Sequence, residues 1–180
     1  GIFDKLLQEL SEVEIVNSFG ARKDGKSKQK DSRELEELVL RFFAFWEDAS
    51  DYEGNLAKFL DSYMRKASNF DQAKIDDLKE TFERALKACS IVFDEDEIFS
   101  DISRDRKRQG VVYYDLLMNS LGRISHDKLR RNRPKIRQAF IELCQSAAFR
   151  RSTAGGLQRK SAINRRNTDW RVKLREVIGD

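Results

Sequence analysis

Two arginine-rich stretches in the second half of the chain carry the pattern that points most directly to a chemistry. Arg130, Arg131 and Arg133, joined by Lys135 and Arg137, crowd the start of a helix that Pro134 is suited to open. Arg165 and Arg166 follow a loop that holds Thr153, Gly155 and Gly156. Guanidinium groups beside the free N–H groups of a helix start attract anions. Glycines and hydroxyls ahead of a helix suit a phosphate or a nucleic-acid backbone. Arg130, Arg131, Arg133, Thr153, Gly155, Arg165 and Arg166 are therefore the candidate phosphate-binding residues. The competing readings are a solvated helix start for the first stretch and a flexible connection to a docking helix for the second. The glycine loop is no Walker A motif, because Gly155-Gly156 is not followed by Gly-Lys-Ser/Thr, and it is no dinucleotide fingerprint.

Other chemistries are limited by scarcity. His126 is the sole histidine, so a histidine-rich metal site is excluded, and it falls in a polar turn. Cys89 and Cys144 lie on apolar helix faces and read as buried free thiols, which fits a reducing cytoplasm. The acidic run Asp94-Glu95-Asp96-Glu97 lacks the alternating spacing and turn glycine of a calcium loop and reads as a solvated helix terminus. No carboxylates stand at a spacing that implies a paired acid and base. Neither a catalytic residue nor a metal or cofactor is expected.

The net charge of +4 conceals a polarity. From Arg123 onward Lys and Arg outnumber Asp and Glu by 16 to 5, and the preceding residues carry a net −7. That asymmetry calls for a polyanionic or acidic partner, or for a basic half that docks on its own acidic half.

The elements that must position these residues are helical. Asp31 is a candidate N-cap with Glu34 completing a capping box, and Leu35, Leu38, Val39, Phe42, Phe43 and Trp46 form a broad apolar face. After a turn broken at Gly54, Leu56, Phe59, Leu60, Tyr63, Met64 and Ala67 give a second face, so residues 32–47 and 55–67 form the hairpin that anchors the core. Ile2 to Leu10 make an apolar stripe with no cap ahead of it, and the first residue is Gly1, so this helix reads as cut from something longer. Val13 to Val16 suits a short extended segment. Residues 20–30 read as a mobile basic loop, and residues 150–162 as a basic glycine-containing loop. Asn69 or Asp71 can cap a long helix ending near Val92 and Phe93. A short helix is expected from Ile98 to Ile102, another from Val112 to Leu121, one from Pro134 to Ala147, and a last one through Trp170. The fold expected is one all-α domain, an irregular multi-helix bundle of about six to eight helices. No apolar run approaches the length of a membrane span, and no signal peptide is visible.

The segment ELVLRFFAFWED, followed after a short gap by YEGNLAKFLDSYM, resembles bacterial proteins of domain-of-unknown-function family 262, which include modification-dependent restriction proteins of the GmrSD type. The resemblance covers residues 34–64 well and the rest of the chain loosely. In that family a ParB/sulfiredoxin-like domain with an Asp-Gly-Gln-Gln-Arg motif precedes the helical part; here Asp24-Gly25 continues as Lys-Ser. The resemblance implies the helical half of a restriction or phage-defence protein, whose partner is a missing N-terminal nuclease or NTPase domain and whose wider partner is DNA. It also aligns Thr153, Gly155, Ser161, Ile163, Arg166 and Trp170 with a family loop, an Arg and a Trp. The expectation is a non-catalytic helical domain. The alternatives are an enzyme handling phosphate at the 153–166 loop, and a helical protein–protein interaction module.

Overall fold

The chain is described by a computed structural model that covers residues 1–21 and 31–179. Most of the basic loop expected at 20–30 thus lies outside the described residues. The described residues form ten α-helices and no strand, an all-α multi-helix bundle. The helices in excess of expectation are short ones. In the first of them, Val16 and Phe19 are buried at helical rather than alternating spacing, so the segment expected to be extended coils into a four-residue turn of helix, Glu14–Asn17.

The helices group into two compact units. The first unit spans Gly1–Tyr52 and Leu56–Glu83. It holds α1 (Ile2–Ser11), α2 (Glu14–Asn17), α3 (Ser32–Asp48), α4 (Leu56–Ala67) and the opening turns of α5 (Gln72–Val92). Asp31 caps α3 by accepting the Glu34 N–H at 3.0 Å, and Asp71 caps α5 by accepting the Lys74 N–H at 2.9 Å. From Leu38 to Phe45 every residue of α3 is buried. Phe42 and Phe43 meet Phe82 edge-on and tilted, and Phe3 of α1 closes against Phe43 and Tyr63. Trp46, at the end of that face, remains half-exposed beside Phe42. One polar cluster is set into this aromatic core. The Tyr63 hydroxyl donates to Glu47 at 2.6 Å, and the Lys74 ammonium donates to the same carboxylate. Burial alone would raise the Glu47 carboxyl, but Lys74 and Tyr63 outweigh it and hold that group below its ordinary value.

The second unit is built from Arg84 onward, with the turn residues Glu53–Asn55. It holds the last turns of α5, then α6 (Val111–Leu121), α7 (His126–Arg131), α8 (Arg133–Gln145), α9 (Ala147–Thr153) and α10 (Lys160–Ile178). Phe93, Tyr114, Leu117, Met118, Phe140, Cys144, Phe149 and Trp170 are its buried centre. The Trp170 indole packs edge-on against Phe140 and donates its N–H to Ser120 Oγ at 2.8 Å, so α10 is fixed to both α8 and α6. Both cysteines are free and buried, and burial pushes both thiols up.

Two local expectations are corrected in this unit. Ile98–Ile102 forms turns rather than a helix, because Phe99 takes a left-handed φ of 60° and the Asp101 side chain captures the Ser103 N–H at 2.9 Å. Ala147 does not extend α8. Ser146 turns extended and caps a separate α9 through its hydroxyl, which accepts the Phe149 N–H at 3.3 Å. The glycine loop therefore contracts from 150–162 to the residues between Thr153 and Lys160. No described helix is long and apolar enough to cross a membrane.

Candidate functional site

The two arginine stretches meet different surroundings. At the start of α8 Arg133 donates through Nε to the Ile91 carbonyl at 3.0 Å and pairs with Asp94 at 3.1 Å. Arg137 pairs with Glu97 through both nitrogens of its fork and also donates to the Val92 carbonyl. Donating to the Glu97 carboxylate raises the Arg137 guanidinium above its ordinary value. Asp94, Glu95 and Asp96 are exposed just past the end of α5, as expected of a solvated terminus, whereas Glu97 is buried. Two of the four carboxylates in this acidic run neutralise Arg133 and Arg137, whose guanidinium groups also satisfy the carbonyls that end α5. Asp94, Asp96 and Glu97 stand close enough to share an ion, yet two of these three already have a guanidinium partner. Arg130 forms an exposed pair with Asp127 at 3.0 Å, and Arg131 is exposed.

Around the glycine loop the chain places an open cleft of about 590 Å³, walled by the end of α9, the loop and the first turns of α10. Arg151, Arg159 and Arg165 line it, with Gly155, Gly156 and Thr168. None of the described residues that line it carries a carboxylate, and no Asp or Glu occurs between Glu142 and Asp169. Arg165 reaches out to Asp169 at 3.0 Å. Arg151 and Arg159 are exposed and make no side-chain hydrogen bond or ion pair among the described residues. Lys160 opens α10 and stands 3.4 Å from Glu53.

Gly156 sets the position of Arg159. Its φ of +60° is a left-handed conformation, and a Cβ there would lie 2.6 Å from Arg159 Nε, so the guanidinium stem is laid across the bare glycine. Gly155, the glycine singled out by the family resemblance, has open space where a Cβ would go and an ordinary φ. Thr153 ends α9, and its hydroxyl donates back to the Arg150 carbonyl at 3.1 Å instead of facing the cleft.

Arg166 does a different job from its neighbour. It is buried and donates to the Ser152 carbonyl at 2.9 Å and the Leu157 carbonyl at 2.6 Å. It thereby ties the end of α9 and the loop to α10. Of the seven candidates, then, the structure brings only Gly155 and Arg165 to the cleft. Arg151 and Arg159 are the residues that sequence reasoning passed over. Their signal was present in the acid-free run between Glu142 and Asp169. Comparisons with protein-family models, with curated proteins and with solved structures found no match.

Proposed function

We propose that this chain is a non-catalytic helical module that holds a nucleic acid by its phosphate backbone in the α9–α10 cleft. In the family-262 reading it would sit beside a separate domain that carries the chemistry, as part of a restriction or phage-defence protein. The observation that carries the proposal is the pair Arg151 and Arg159. They are exposed cations lining an open cleft with no carboxylate among its described lining residues, and neither forms an ion pair among the described residues. Arg133 and Arg137 of α8, by contrast, are matched to the acidic run. The cleft offers the hydroxyls of Ser161 and Thr168 but no lining carboxylate or imidazole to activate either, which favours binding over phosphoryl chemistry. It also lacks an aromatic on which a base could stack, so backbone contact independent of sequence is the mode expected.

The test is a titration of a labelled mixed-sequence duplex followed by fluorescence anisotropy over a range of salt. Binding should weaken as salt rises, with a log–log slope of roughly −2 or steeper, since each neutralised phosphate releases counterions. Absence of binding even at low salt, or an affinity indifferent to salt, would rule the proposal out. Metal-dependent cleavage of that duplex, lost on replacing a carboxylate of this chain, would revive the enzyme reading instead.

A further inference from the structure

A second cationic feature stands on the loop between α5 and α6. Arg106, Lys107 and Arg108 are consecutive and exposed, and none makes a side-chain hydrogen bond or ion pair among the described residues. A solvated charge run needs no scaffold, yet this one has a closed base. Ser100 and Gln109 form an antiparallel bridge, and the Gly110 N–H donates to the Phe99 carbonyl at 2.9 Å. The Gln109 side chain donates to the Ile98 carbonyl at 3.1 Å. Phe99 itself takes a left-handed φ of 60° with its ring buried against Tyr114, a conformation that costs a bulky residue energy and that the surrounding contacts must hold.

The only acid with a built role in this loop faces inward. Asp101 is buried and accepts from the Ser103 N–H and hydroxyl and from Arg104 Nε at 3.1 Å. Burial would raise its carboxyl, but these donors prevail and keep it below the ordinary value. Asp101 thus neutralises Arg104 and leaves the next three cations uncompensated apart from the exposed Asp105.

We infer that the Arg106–Arg108 tip is a second contact for the backbone of a nucleic acid, separate from the α9–α10 cleft and engaging the same strand or duplex. This rests on the proposed function for the identity of the ligand. Three adjacent cations span no more than about 7 Å of chain, which suits the closely spaced charges of a nucleic acid. They include no aromatic, which restricts them to phosphate. A tip held by a closed base is ordered before binding, so little conformational freedom remains to be lost.

The experiment measures duplex affinity against salt for wild type, for the triple variant R106A/K107A/R108A and for the cleft variant R151A/R159A. The triple variant should make the log–log slope shallower by about 2–3 units, and R106K/R108K should restore it. Arg106→Gln or Arg108→Gln alone, which retain a long polar side chain, should each remove about one unit, so the result does not depend on the triple variant folding. A slope unchanged in the triple variant but shallower in the cleft variant overturns the tip as a contact and leaves the cleft reading intact. A slope shallower in the triple variant alone upholds the tip and sinks the cleft. If the tip substitutions abolish binding to polyglutamate while duplex binding is untouched, the tip serves an acidic protein and the inference fails.

Discussion

The start of α8 and the cleft between α9 and α10 are nearly equal in arginine content and opposite in what those arginines do. At α8 the guanidinium groups of Arg133 and Arg137 are consumed by Asp94, Glu97 and the carbonyls that end α5. At the cleft Arg151 and Arg159 are exposed and form no ion pair among the described residues, while Arg166 is buried among carbonyls a few residues away. A count of basic residues cannot separate these roles. Local acid supply can: the first stretch is answered by Asp94 to Glu97, and the second lies in a run without Asp or Glu. The internal match accounts for Arg133 and Arg137, and the outside polyanion is what the proposal assigns to the cleft.

The sharpest contrast in stability lies within α10. Trp170→Ala removes a buried indole and its bond to Ser120, and should cost about 3–5 kcal/mol in denaturant unfolding. A loss under about 1 kcal/mol would mean that α10 is not fixed through this residue. Arg137→Ala should cost about 2–3 kcal/mol, because it leaves the buried Glu97 without its fork. If that substitution left stability unchanged but weakened duplex binding, the comparison drawn between the two sites would be reversed.

Next comes the loop that presents the tip. The Asp101 carboxyl is held below its ordinary value of 3.8, so its charge stabilises the fold above that pH. This contribution is lost as pH falls through the lower folded value. Asp101→Asn should remove about 1.5–2 kcal/mol at neutral pH and flatten stability against pH below 3.8, checked by unfolding at stepped pH. An unaltered acid limb would show that the carboxylate does not hold the loop. A smaller effect separates the two glycines. Gly156→Ala forces a side chain into a left-handed backbone and onto Arg159, at roughly 1 kcal/mol, whereas Gly155→Ala should be neutral. Equal melting temperatures for the two variants would contradict the assignment of the turn to Gly156.

The helical architecture was legible because burial follows the 3.6-residue period through α4, α5 and α8, and because Asp31 and Asp71 are capping residues at the places where helices begin. What escaped was set by side chains that compete for the backbone. Ser146 splits one helix into two, and Asp101 with Phe99 turns a short apolar run away from helix. The site was half legible. Arginine clusters were visible as residue types, but whether a guanidinium meets a carbonyl, a carboxylate or water depends on which side of α10 it occupies. Arg165 and Arg166 are adjacent and differ completely in this respect. Gly155 and Gly156 are likewise adjacent, and only the φ of the second demands glycine.

The central claim is that Arg151 and Arg159 are kept for a ligand and not for the fold, and one variant measures it most directly. R151A/R159A, compared with wild type for both unfolding free energy and duplex affinity across salt, should leave stability within about 0.5 kcal/mol, as exposed unpartnered side chains do. It should also make the log–log salt slope shallower by about 1–2 units. A variant that loses stability while its salt slope is unchanged would contradict the account, because those arginines would then be holding the helices together.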